Sequence, residues 1–122
     1  MPGYVLAAVL AATGVIIHAF VGSRAVVAPL LAVKGLAPAS RWLMFLCWHG
    51  ITIVLVALAA GFGWAAWSTD GADVGIGLTV LTAALAVLTL YVCRRARFNP
   101  LKVPPFVLFS LMAAAGSWSA AS

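Results

Sequence analysis

The chain reads as four long apolar runs separated by three short polar connections. The runs cover residues 4–22, 42–67, 74–93 and 104–120. None shows the strict apolar/polar alternation of a barrel strand, and each exceeds the roughly 9–11 residues such a strand needs. A run buried in lipid must satisfy its own backbone N–H and C=O groups, so each is predicted to be a helix. About 20 apolar residues span a bilayer core. The second run is long enough to tilt or project, and the fourth, at about 17, is near the lower limit.

The connections differ in character. Residues 23–41 contain Pro29, Gly35 and Pro38 but remain largely apolar over 25–33. That segment is expected either on the membrane surface or as an extension of helix 1 past a kink at Pro29. Residues 68–73 are short and polar, and 94–104 are basic and proline-containing. Short second and third connections predict antiparallel neighbours in an up-down bundle. The first run has no Lys or Arg before its apolar core, so it is read as a span and not as a secretory signal.

Composition supports the same class. Of 122 residues, 66% are hydrophobic and 7% charged, seven basic and two acidic. A soluble domain carries roughly 25% charged residues. A water-soluble globule, a disordered segment and a disulfide scaffold are therefore excluded. Residues 1–122 form one integral membrane domain, with no room for a soluble catalytic unit.

Charge then sets orientation. With four spans, the first and third connections share a side, and they hold Arg24, Lys34, Arg41, Arg94, Arg95, Arg97 and Lys102. The acids Asp70 and Asp73 fall on the other side. Basic loops stay in the cytoplasm. The expected architecture is an all-α, four-helix transmembrane bundle of a bacterial inner membrane, with both termini periplasmic. Tyr4, Trp64, Trp67 and Trp118 would anchor the outer interface, and Trp42 and Tyr91 the inner one. The basic residues also favour anionic lipid as a partner. Spread over two membrane-tied loops, they do not make a nucleic-acid surface.

Candidate chemistry is sparse. No carboxylate lies inside a span, and no Ser/His/Asp set, P-loop or HExxH occurs. No catalytic residue is assigned, and an enzyme is not the favoured reading. The ionisable residues within spans are His18 and His49. His18 precedes Arg24 by six residues, about 9 Å, and His49 follows Arg41 by eight, about 12 Å. Both fall in the cytoplasmic half on consecutive antiparallel helices.

Face assignments follow from spacing. Ala7, Ala11, Gly14, His18 and Gly22 share one face of helix 1, where small residues admit a close neighbour. On helix 2, Phe45, His49, Thr52 or Ile53, Val56 and Ala60 share the His49 face. Thr79, Thr82, Ala86, Thr89 and Cys93 form a stripe on helix 3. Ser110, Ala114 and Ser117 do so on helix 4. Two neutral imidazoles on adjacent helices are the donor set of a bis-histidine haem b, with Arg24 and Arg41 placed to pair with propionates. The plainer alternative makes each histidine a polar contact to a Thr or a carbonyl. It makes each arginine a helix-end anchor. A zinc site is disfavoured because Cys47 and His49 point about 200° apart on one helix. Both cysteines read as packing residues.

Several runs resemble a known family. His18-Ala19-Phe20-Val21-Gly22-Ser23-Arg24, Pro29-Leu30-Leu31, Arg41-Trp42 and Trp48-His49-Gly50-Ile51-Thr52 resemble a widespread family of small, functionally unassigned bacterial membrane proteins with four helices. Arg97-Phe98-Asn99-Pro100 is similar to that family's connection before helix 4. Ser23 stands where many members carry an acid, and Ala19 where many carry a hydroxyl residue. The resemblance implies the fold, the topology and special positions at His18, Gly22, Arg24, Trp48 and His49, but no activity. Three functional classes follow. The first is a non-catalytic subunit or partner-binding component, alone or as a homo-oligomer. The second is a haem b electron carrier. The third is a small transporter or lipid- or quinone-binding protein.

Overall fold

The computed structural model describes Met1–Ser122 and is all-helical. Four helices, α1 (Pro2–Ala32), α2 (Pro38–Trp67), α3 (Ala72–Ala96) and α4 (Pro104–Ala121), pack as a closed ring in which each touches its two sequence neighbours and α4 returns to α1. Proline opens α1, α2 and α4, where a helix has no use for its missing N–H. Asp73 lies in the first turn of α3 and Arg94 and Arg95 in the last, matching the helix dipole at both ends. Beyond Ala96 the chain turns through Arg97, left-handed at φ 58°. The Phe98 N–H then bonds the Cys93 carbonyl at 2.8 Å, closing the helix end.

The elements are longer than the apolar runs predicted. α1 does not stop at residue 22. It continues to Ala32, so the first connection shrinks to residues 33–37. Between Ile17 and Val27 it widens to π-helical register, with the Ala28 N–H reaching the Ser23 carbonyl. The widening precedes Pro29, whose ring would collide with the carbonyl four residues back in a regular α-helix. The helical extension, one of the two expectations for this segment, is the one observed. α2 starts at Pro38, and its 30 residues extend about 45 Å.

α1, α2 and α3 are long and apolar enough to cross a membrane. In their most apolar stretches only 17%, 11% and 22% of residues are buried inside the bundle, so the apolar surface faces outward. Helices hydrophobic all round need an apolar surrounding. α4, with two prolines, three serines and a glycine among its 18 residues, is outside that group, yet it packs between α1 and α3.

The core is concentrated toward the end of the bundle that holds both termini. Tyr4, Ala7 and Ala11 of α1 meet Leu55, Leu58, Phe62 and Ala65 of α2, Ala86 of α3 and Phe109, Met112 and Ala115 of α4. Tyr4 is a correction. It is 1% exposed, its ring 6.0 Å from that of Phe62 and lying over Gly75, so it is a core residue and not an interface anchor. Its N–H, unpaired by the helix start, donates to Ser119 Oγ at 3.0 Å. Trp42, Trp64, Trp67, Tyr91 and Trp118 are exposed, as anchors would be.

Two predicted faces hold and two rotate. The small face of α1 is inward as expected, with Gly14 against Leu108 and Leu55. Thr79, Thr82, Ala86 and Cys93 of α3 are buried. The threonine hydroxyls bond their own helix: Thr79 to the Gly75 carbonyl, Thr82 to that of Thr79 and Thr89 to that of Leu85. On α4 the inward face is Phe109, Met112, Ala115, Gly116 and Ser119, while Ala114 and Ser117 are exposed. On α2 it runs through Trp48, Thr52, Leu55, Leu58, Phe62 and Ala65, while Ile53, Val56 and Ala60 face out.

Candidate functional site

The half of the α1–α2 seam nearer the basic end carries the predicted histidines. His18 is the second residue of the widened segment of α1, and it is half-buried on the small face. Its Nδ1 shares a hydrogen bond with Thr52 Oγ1 on α2 at 3.1 Å. Its ring lies on that of Trp48, with centroids 4.0 Å apart and planes within 15°. Trp48 in turn needs Gly22. A Cβ at Gly22 would stand 2.5 Å from Trp48 Cζ2. The His18–Gly22 spacing thus makes a slot in α1 for one large ring of α2.

His49 lies about 100° around α2 from Trp48, at the edge of the seam. Its ring meets Phe45 edge-on at 4.4 Å, and Phe45 meets Trp42 edge-on at 5.5 Å. The two histidines stand on α1 and α2. They remain on adjacent helices, as predicted, but His18 uses Thr52 and Trp48 and not His49 as its direct partners.

The arginines go elsewhere. Arg41 donates from Nη2 to the Val33 carbonyl at 2.7 Å, pinning the 33–37 connection and placing positive charge at the C-terminal end of α1. Its Nε is sealed without a partner. Arg24 is exposed on the opposite face of the π segment, grouped with Phe20, Val21 and Ala25. Cys47 is exposed and Cys93 buried.

Sequence reasoning gave Trp48 a place only through the family resemblance, whereas it set Thr52 or Ile53 beside His49 and expected a threonine as a histidine's partner, and Thr52 is that partner of His18. The signal was the spacing of Trp48, Thr52, Leu55, Leu58, Phe62 and Ala65, which repeats at three and four residues. With neighbouring positions equally apolar, that repeat did not stand out. Trp48 Nε1 is also buried without a partner.

Chemically, the cluster is a polar clasp in an apolar seam. It offers one interhelical hydrogen bond, one stacked pair and the second ring nitrogen of His18. Interhelical hydrogen bonds in membranes average about 0.6 kcal/mol and reach about 1.7. Thr52→Val is therefore expected to destabilise the bundle by about 1 kcal/mol. His18→Ala is expected to cost more, because Trp48 also loses its stacking partner. Thermal unfolding of the two variants in detergent, ranked against wild type, checks this order.

The fold and seam define a small helical membrane protein with three candidate spans. Compared with protein families, curated proteins and solved structures, the chain matches none.

Proposed function

We propose that the chain is a four-span protein of a bacterial inner membrane and acts as a non-catalytic subunit or partner-binding component of a membrane assembly. In this reading α4 is the fourth span. The ends joined by residues 33–37 and 97–103 are cytoplasmic, and both termini are periplasmic. The seven basic residues at one end and the two acids at the other support that orientation. Membership of the family of small four-helix bacterial membrane proteins is part of the same proposal. Its support is that three motif residues distant in sequence, His18, Gly22 and Trp48, meet in one contact.

The observation that carries the partner-binding reading is the asymmetry of packing. The terminal end is locked by residues of 0–2% exposure, among them Tyr4, Phe62, Leu58 and Met112. Toward the basic end, α2 leaves Trp42, Leu43 and Leu46 more than half exposed. A photo-crosslinking residue at Leu46 is expected to give a discrete protein adduct in intact cells, and one at Val80 on α3 to give none. The mass of the adduct separates a second copy of the chain from another subunit. Equal labelling at both positions, or lipid adducts alone, contradicts the proposal.

A second reading is favoured by one contact. Metal-bound histidines commonly hold their other ring nitrogen in a hydrogen bond. His18 Nδ1 has that bond to Thr52, which leaves Nε2 for iron of a haem b, with His49 as the second donor. Purified protein titrated with haemin would then develop a Soret band that His18→Ala abolishes.

A further inference from the structure

Arg24 is the one basic residue deep within a helix. It lies eight residues, about 12 Å, before the end of α1 at Ala32. Arg41 stands in the first turn of α2, and Arg94 and Arg95 in the last turn of α3. Arg24 is exposed, so it faces away from the bundle interior. No acidic side chain can serve it. Asp70 and Asp73 lie at the other end, in the α2–α3 connection and the first turn of α3. Charged groups at this depth normally face a bundle interior or pair with another group. Arg24 does neither within the protein.

Its surroundings are shaped. Phe20, Val21, Arg24 and Ala25 line a shallow groove of about 430 Å³ on the outer face of α1. Positions 20 and 21 lie one turn before 24 and 25, so the four side chains share one face of the widened segment. Because α1 runs toward the basic end, the cation is nearer the interface and the apolar wall of Phe20 and Val21 is deeper. That is the order of headgroup and acyl chain in a bilayer lipid. A guanidinium binds two phosphate oxygens at once, which an ammonium does not.

We infer that the outer face of the π segment is a binding site for one phospholipid of the cytoplasmic leaflet. Its phosphate sits on Arg24, its acyl chain lies along Phe20 and Val21, and an anionic headgroup is preferred. The preference follows from the end of the bundle involved, which holds all seven basic residues and neither acid. The inference rests on the membrane-spanning reading of α1.

The test uses the full chain in phosphatidylcholine vesicles doped with spin-labelled phosphatidylglycerol. The lipid fraction held immobile at the protein surface is read by electron paramagnetic resonance. Arg24→Gln is expected to weaken retention about fivefold, the scale of one basic residue at an anionic surface. Arg24→Lys is expected to fall between, and Val21→Trp to displace the lipid with the charge intact. Arg94→Gln and Arg95→Gln are expected to behave as wild type. Circular dichroism establishes that each variant keeps its helices. Wild-type retention in Arg24→Gln, equal loss in Arg94→Gln, or equal retention of spin-labelled phosphatidylcholine overturns the inference. Release of the protein from membranes by alkaline carbonate would instead overturn the membrane-spanning reading itself.

Discussion

Replacing Tyr4 by alanine is expected to destabilise the bundle by about 3–5 kcal/mol, the range for removing a large buried aromatic. The ring is 1% exposed and is held between Phe62 of α2 and Gly75 of α3. Its loss opens a cavity where three helices meet. Between helices already in lipid the driving force is packing, so missing contacts are not offset by hydrophobic collapse. Tyr4→Phe keeps the ring and is expected to lie near wild type. Unfolding in mixed detergent micelles, followed by circular dichroism, separates this from an interfacial role. An interface anchor would tolerate alanine with a loss below about 1 kcal/mol and would not distinguish sharply between the two variants.

The second large effect is at the α3–α4 contact, where Gly116 lies against Thr79. A Cβ at position 116 would collide with Thr79 Oγ1 and crowd its Cβ and Cγ2, each 3.1 Å away. Thr79 cannot easily yield. It is β-branched, buried, and bonded through its hydroxyl to the Gly75 carbonyl at 2.7 Å. Gly116→Ala is therefore expected to cost about 1–3 kcal/mol by overpacking. Adding Thr79→Gly removes the opposing atoms and is expected to recover part of that loss. Recovery in the double variant is the diagnostic. Purely additive losses would mean that the two residues do not share a contact.

How much of this was legible depended on contrast along each helix. α1 announced its inner face because Ala7, Ala11, Gly14 and Gly22 are small among Leu, Val and Ile. α3 did so because Thr79, Thr82 and Thr89 are polar among aliphatics. α2 and α4 offered no such contrast on their true inner faces. Leu55, Phe62, Phe109 and Met112 look like their lipid-facing neighbours, because both surroundings are apolar. Their faces were assigned instead from polar markers, His49 on α2 and Ser110 and Ser117 on α4, and those markers sit at an edge or outside. Tyr4 was assigned by its nearness to the chain end, which predicts depth but not burial.

The site was legible in part for the same reason. His18 and Gly22 were marked by chemistry and size, and their shared face was correct. Trp48 was marked only by the family resemblance, beside four other tryptophans read as anchors. The π segment was not readable, since the hydrophobic pattern does not reveal a change in hydrogen-bond register. Pro29 signalled a disturbance there. Whether the chain answered with a kink, a surface turn or a wider helix was decided by backbone geometry.

The proposed arrangement, four helices crossing the membrane with the basic end inside, is tested most directly by cysteine accessibility. Cys47 and Cys93 are first replaced by alanine, and single cysteines are placed at Thr69, Arg97 and Ser122. A membrane-impermeant maleimide added to intact spheroplasts is expected to label Thr69→Cys and Ser122→Cys, and to label Arg97→Cys only after lysis. Labelling of Arg97→Cys from outside, or protection of Ser122→Cys until lysis, would contradict the account. The second outcome would leave α4 on the cytoplasmic side of a three-span protein.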